Sequence, residues 1–384
     1  MLFGSENGKK EAIKNMRIHL FIAHMGIGGA ERVCVNLANE WNRLGHEVHI
    51  SVLNLDNDIN THLLNQGIQV HSLGVSRLRY AFIPMLKYIK KYQPKFMFVF
   101  GNEMAVILNK MKQLHLISTP LIVRVLNNVE ITLSKDDNIS PIVEKYLKNA
   151  QKQLRDMHKV IAQCQGMETM LLKNKLVNPQ NLLCIYNPVS GDLVEKTEKI
   201  RIPIEKRNPN REKQMVFIGR LEPQKNLTHL LQAFAKVYQK QPSLVLHLYG
   251  EGGQKEKLEK LAQDLGIFER ISFKGTRKDM EQVYATADMV VLSSEYEGMP
   301  NCLIEAIGCG VPVVSYDCPL GPKEIIVDGV NGYLVEYQNI EALAVGMEKC
   351  LSKVWKEDEI KATAEKFDVT YIAKKYLEIF EAIS

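Results

Sequence analysis

Short apolar runs alternate with amphipathic segments along the 384-residue chain, the order expected of parallel sheets wound with helices. MRIHLFIAH from Met16, then EVHISVL, IQVHSL, KFMFVFG, PLIVRVLN and KVIAQC, read as successive strands. After the first of them Val33, Leu37, Trp41 and Leu44 recur at helical spacing, and Gly45 closes that helix. A second series, QMVFIGR, LVLHLYG, ISFKG, MVVLSS, VPVVSYD and NGYLVE, restarts beyond IYNPV and the polar, charged stretch EKTEKIRIPIEKRNPNREK. Ile372, Tyr376, Ile379, Phe380 and Ile383 share one face of a last helix. The pattern predicts a flexible leader at 1–15, an α/β domain at 16–190, a linker at 191–213, a second α/β domain at 214–368 and a terminal helix at 369–384. Translation starts at Met1 or at Met16.

Charge adds a direction to this plan. Residues 1–188 hold 23 Lys/Arg against 14 Asp/Glu, a balance of +9, and the remainder, with 26 against 30, carries −4. The basic half therefore faces the more anionic partner. Within it, 76–95 combines Arg77, Arg79, Lys87, Lys90, Lys91 and Lys95 with the apolar stripe Phe82, Met85, Leu86 and Ile89. Such a segment either dips its apolar face into an anionic membrane or packs that face on the sheet. The charge asymmetry favours the membrane. No nucleic-acid recognition motif accompanies the charge.

Composition, at 46% hydrophobic and 24% charged, is that of a globular enzyme. No apolar run approaches the ~18 to 20 residues of a membrane span, and the leader lacks the apolar core of a signal peptide. The expectation is a cytoplasmic protein, peripheral on the inner face of the plasma membrane. Cys34, Cys164, Cys184, Cys302, Cys309, Cys318 and Cys350 are scattered, without metal-ligand spacing. Asp56-Asn57-Asp58 is formally a D-x-D metal triad, but its setting reads as a polar turn after the second strand.

Candidate chemistry gathers at strand ends. Between MVVLSS and a helix-like segment stands EGMPNCLIE, 297–305, with glutamates at its two ends. A loop leaving a parallel strand and opening a helix favours an anionic ligand. Pro300 has no N–H to offer, so the free amides are those of Asn301 and Cys302. Glu305, one turn further in, would repel phosphate and suits hydroxyls. GIGGAER, 26–32, lets the backbone at Gly28 and Gly29 approach a phosphate. A nicotinamide-binding domain would want a third spaced glycine there, although Asp56 keeps that rival open. Arg220 and Lys225 follow a strand end and supply two cations.

Taken in order, these motifs resemble the family-4 glycosyltransferases, whose GT-B fold sets two Rossmann-like domains across a cleft, the C-terminal helix crossing back to the first. GGAER before a helix ending RLGHEV, G-R-x-x-x-x-K at Gly219–Lys225, YGEGG, KGTR and the continuous run from Glu297 carry the resemblance. It implies that Arg220 and Lys225 bind the donor's diphosphate and Glu305 its ribose, while Glu297 meets the donor sugar. Gly250, Gly252 and Gly253 would form a tight turn near the nucleotide, with Lys274 to Arg277 along the base. Met299, with the amides of Asn301 and Cys302, would complete the donor site. DCPLGPKEII is similar to the subset that adds hexoses or N-acetylhexosamines to lipid-linked bacterial polysaccharides.

The reaction so implied is glycosyl transfer, with retention, from a nucleoside diphosphate sugar, a UDP-sugar in the first instance, to a saccharide or lipid-linked saccharide. Fixed positive charge and N–H groups would stabilise the leaving diphosphate without a metal or other cofactor. Where many relatives carry a histidine near the donor sugar, this chain reads RVLNNVE. Asn127 or Asn128 would take that place with an amide that cannot act as a base. His24, near the glycine loop, reads as a buried, satisfied histidine. The alternatives are a same-fold nucleotide-sugar epimerase and a nucleotide-sugar-binding protein without catalysis.

Overall fold

The computed structural model describes residues 15–26, 28–56, 60–126, 153–208 and 210–383. A seven-stranded parallel sheet, in the order β3-β2-β1-β4-β5-β6-β7, forms the first domain. Its strands are β1 (Arg17–Phe21), β2 (Glu47–Val52), β3 (Gln69–Ser72), β4 (Met97–Phe100), β5 (Leu121–Arg124), β6 (Lys159–Ala162) and β7 (Leu182–Cys184). The second domain holds a six-stranded parallel sheet, β10-β9-β8-β11-β12-β13. These are β8 (Lys213–Ile218), β9 (Leu244–Tyr249), β10 (Ile271–Gly275), β11 (Met289–Leu292), β12 (Val313–Tyr316) and β13 (Gly332–Val335). Central strands such as β4, β5, β11 and β12 are buried throughout, as strands covered on both faces must be. In each sheet the order reverses beside the first strand, between β1 and β4 and between β8 and β11. The loops leaving those strands flank the crevice where parallel α/β sheets bind ligands.

The chain passes between domains twice, and the crossings lie side by side. Val189 pairs in parallel with Asp368, and its amide donates to Phe367 O at 2.8 Å. From there the helix Val369–Ile383 returns to the first domain. Trp41 Nε1 donates to Ala373 O at 3.2 Å, and the Trp41 ring meets Tyr376 and Phe380 edge-on. The expected crossing helix is thus present, its apolar face sealed in the first core.

Three expectations change. The stretch 191–213, read as a linker, contains the helix Gly191–Ile200 and belongs to the second domain. Buried Arg201 fixes it there, donating to Tyr284 O at 2.6 Å and to Glu357 Oε1 at 3.0 Å. In the basic segment the helix Phe82–Tyr92 buries Met85, Tyr88 and Ile89 against the first domain. The apolar stripe is therefore covered by protein, because its spacing matches a helix packed on a sheet. Arg77, Arg79, Lys87, Lys90 and Lys91 all lie exposed, and so do Tyr80 and Ile83. His24, expected to be buried, is exposed, since the chain has left β1 before reaching it.

Beneath that helix the rings of His19 and His49 stack at 4.6 Å and those of His49 and His71 at 5.2 Å. Tyr88 shares a 2.8 Å hydrogen bond with His19 Nδ1. Among the described residues no helix is long and apolar enough to cross a membrane.

Candidate active site

The loop after β8 is shaped by glycines beneath it. Gly219 N donates to Tyr249 O and Leu221 N to Glu251 O, each at 2.9 Å. A Cβ on Gly250, whose φ is +133°, would stand 2.0 Å from Gly219 O, and one on Gly252 would stand 2.4 Å from Leu221 O. Only glycine lets these two backbones lie so close. Their contact sets the course of the chain to Arg220, which is exposed, and to Lys225.

Lys225 Nζ lies 2.6 Å from Glu297 Oε1, the two side chains being 14% and 9% exposed. Ser294 Oγ donates to the same carboxylate oxygen at 2.6 Å. Burial is the largest influence on the Lys225 ammonium and opposes its charge, but Glu297 and then Cys302 act the other way, and the pKa is raised. Backbone contacts hold the two loops together: Glu295 N donates to Gln224 O at 2.8 Å, and Ser293 Oγ to Lys225 O at 2.8 Å.

The helix Asn301–Gly308 begins at Pro300, as the missing N–H predicts. Gly321, at φ +86°, packs beneath this start, where a Cβ would come within 2.7 Å of Pro300 Cδ. Glu305 is buried and accepts from Tyr284 Oη at 2.7 Å. Burial, and then the Glu305 carboxylate, hold the Tyr284 phenol well above its usual range. Burial also pushes the Cys302 thiol up to about 12, so it stays protonated at neutral pH.

Across the cleft the helix Gly29–Arg43 follows the glycine loop. Asn301 Nδ2 donates to Gly29 O at 2.9 Å, and Arg32 Nε stands 3.7 Å from Glu305 Oε1. The Glu31 carboxylate folds back so closely that a Cβ on Gly28 would meet it at 2.1 Å. Burial raises the Glu31 carboxyl, against the opposing influence of its own amide and of Arg220. The two domains thus meet directly across this cleft.

Glu297, Glu305, Arg220, Lys225, Gly28, Gly29, Gly250, Met299, Asn301 and Cys302 therefore line or support one crevice. Arg277 is exposed and paired with Asp279 at 2.8 Å, two residues beyond Gly275, whose carbonyl accepts from Gly250 N at 2.9 Å, and Lys274 beside it is exposed. Asn127 and Asn128 lie outside the described residues, as do Asn57 and Asp58. Among the described residues no group of three His, Cys, Asp or Glu side chains is placed to hold a metal ion. Sequence reasoning missed Arg32, Tyr284, Asn187 and Cys164. Arg32 closes the GIGGAER motif and Asn187 stands in IYNPV, so both had a signal; Tyr284 and Cys164 had none.

Two family models cover most of the chain: Glycosyltransferase Family 4 over residues 27–192 and Glycosyl transferases group 1 over 198–367. The chain belongs to the family-4 glycosyltransferases, and its fold is GT-B. One relative, the exopolysaccharide phosphotransferase SCO2592 of Streptomyces coelicolor, is 34% identical over 44% of this chain, which spans 18% of that protein's length. Another aligns almost end to end, at 25% identity over 94% of this chain and 98% of its own. It is the N-acetylgalactosamine-N,N'-diacetylbacillosaminyl-diphospho-undecaprenol 4-alpha-N-acetylgalactosaminyltransferase of Campylobacter jejuni. Among solved structures Anabaena HepE, in complex with UDP and glucose, superposes with a TM-score of 0.76 at 20% identity, covering 96% of this chain and 100% of its own.

Proposed function

We propose that this protein is a retaining glycosyltransferase of bacterial surface polysaccharide assembly. It moves a hexose or N-acetylhexosamine from a UDP-sugar to a lipid-linked saccharide at the inner membrane face. The observation that carries this reading is the convergence of Arg220, Lys225, Glu297 and Glu305 in one crevice, opposite the glycine loop.

In this reading the donor's diphosphate lies against Arg220, Lys225 and the amides of Asn301 and Cys302. Glu305 turns from Arg32 to the ribose hydroxyls. Fixed cations and N–H groups stabilise the charge that grows on the leaving diphosphate, so no resident metal is needed. Glu297, already paired with Lys225, faces the donor sugar. The acceptor oxygen bonds to the anomeric carbon on the face from which the diphosphate departs, and its proton passes to the departing phosphate, so configuration is retained without glycosylating an enzyme carboxylate. The name of the Campylobacter relative supports a diphospho-lipid saccharide as acceptor. The exposed cations Arg77, Arg79, Lys87, Lys90 and Lys91 would face anionic headgroups.

The test is product analysis with UDP-sugars and undecaprenyl-diphosphate saccharides. The expected product carries the sugar in the anomeric configuration of the donor. An inverted product refutes retention. Isomerised donor formed without acceptor identifies an epimerase, and neither product nor hydrolysis identifies a binding protein.

A further inference from the structure

The loop that opens the helix Asn301–Gly308 is held from the opposite domain. Cys164 Sγ donates to Gly298 O at 3.4 Å. Asn187 Nδ2 donates to Met299 O at 3.0 Å and to Asn301 Oδ1 at 2.6 Å. Asn187 lies on the crossing segment, between β7 and the pairing of Val189 with Asp368, and is 3% exposed. Its Oδ1 accepts from Arg124 Nη2. Arg124 is fully buried and donates as well to Tyr376 Oη and, at 3.3 Å, to Ile185 O.

The direction of this chain of hydrogen bonds is chemically determined. A guanidinium only donates, so the amide oxygen of Asn187 must face Arg124. Its two N–H groups must then face Met299 O, which only accepts, and Asn301 Oδ1. Asn301 is fixed in turn, with its own N–H toward Gly29 O at 2.9 Å. The sequence Arg124, Asn187, Asn301, Gly29 therefore crosses from the first domain to the second and back. It ends on the two loops between which the donor's phosphates would lie.

We infer that Asn187 is a positioning residue, which orients the 298–302 loop from the opposite domain so that its amides and Glu297 are aimed at the donor. This rests on the glycosyltransferase reading. Holding Met299 O fixes the peptide plane entering Pro300, which sets where the following amides of Asn301 and Cys302 point. A loop released from Asn187 still binds donor, because Arg220, Lys225 and Glu305 are untouched. It stabilises the transition state less well, because the donors no longer stand where charge develops.

Asn187→Asp separates this role from a purely structural one. The aspartate still accepts from Arg124, so the buried guanidinium keeps its partner, but it cannot donate to Met299 or Asn301. Its other oxygen then faces Met299 O across 3.0 Å, acceptor against acceptor, so the expected result for residues 1–384 is a melting temperature below the parent's but above the assay temperature. With it we expect kcat lowered about 30-fold, donor KM changed less than threefold, and faster amide hydrogen exchange across 301–303. A kcat per folded molecule within twofold of the parent overturns the inference. Should Asn187→Asp not fold, Arg124→Met with Asn187→Leu removes the guanidinium together with its partner, and the same split between kcat and KM is required of that pair. Hydrogen exchange keeps the two readings distinct. A parent protein that transfers no sugar defeats the glycosyltransferase reading, whereas unchanged exchange in the variant defeats the role of Asn187.

Discussion

Breaking the Lys225 to Glu297 pair should cost more than either charge alone suggests. Side chains that are 14% and 9% exposed, 2.6 Å apart, lie where removing one partner strands the other in a weakly solvated site. Such losses run to about 3–5 kcal/mol. Ser294 still donates to Glu297, so the lower end applies, and Lys225→Met is expected to destabilise the second domain by about 3 kcal/mol. Glu297→Gln keeps an acceptor for both Lys225 and Ser294 and should cost about 1–2 kcal/mol. The double variant strands no charge and should cost about 2 kcal/mol, leaving a coupling of about 2–3 kcal/mol. The chain has two tryptophans, Trp41 in the first core and Trp355 in the second. Urea titration followed by Trp355 fluorescence in a Trp41→Phe background therefore reports the second domain. Additive single variants, with coupling below about 0.5 kcal/mol, would show instead that the pair is solvated and contributes no coupling.

Other perturbations follow from the same geometry. Gly250→Ala places a Cβ 2.0 Å from Gly219 O at φ +133°; it should cost roughly 2–4 kcal/mol and weaken UDP binding, whereas a parent-like melting temperature would contradict the close approach. Burial, and next His49, lower the His19 pKa from 6.5 to about 3. The unfolded imidazole then binds a proton below about pH 6.5 that the folded one refuses, so stability falls with pH from 6.5 toward 3, by about 2 kcal/mol at pH 5. The groups around it are Tyr88 and Tyr92 of the covering helix, and Arg17, Glu47, His49 and His71 of the sheet. His19→Phe should flatten the fall in melting temperature between pH 7 and pH 5; an unchanged slope would assign it elsewhere. Exhaustive treatment with a chelator should leave transfer within about twofold if, as proposed, Arg220 and Lys225 supply the positive charge. Activity lost to the chelator and restored by a divalent cation would contradict that assignment.

The fold was legible because nearly every strand is a short apolar run bounded by turn residues, and buried parallel strands have few other spellings. β7 escaped notice, since Leu182–Cys184 is three residues long and merges with IYNPV. The helix Gly191–Ile200 was read as linker because its surface is charged, while what fixes it is Arg201, a cation buried among carbonyls. Polar residues satisfied only in three dimensions leave no periodic trace. Motifs likewise gave the residues on each wall of the crevice but not what joins the walls. Asn301 to Gly29, Arg32 to Glu305 and Asn187 to Met299 are contacts between positions more than a hundred residues apart. The stripe at 82–89 shows the limit of periodicity: its spacing suits a bilayer or a sheet, and Met85 and Ile89 are buried in the protein core while the cations beside them stay exposed.

The most direct measurement is the melting temperature of the purified protein across a panel of UDP- and GDP-sugars and the free nucleotides. A ligand at ~100 times its dissociation constant stabilises the folded state by about 2.7 kcal/mol. A clear rise is expected with UDP and with one UDP-sugar, and its loss in Glu305→Ala and in Arg220→Ala with Lys225→Ala. No shift with any nucleotide, or a shift untouched by those substitutions, would contradict the donor site described.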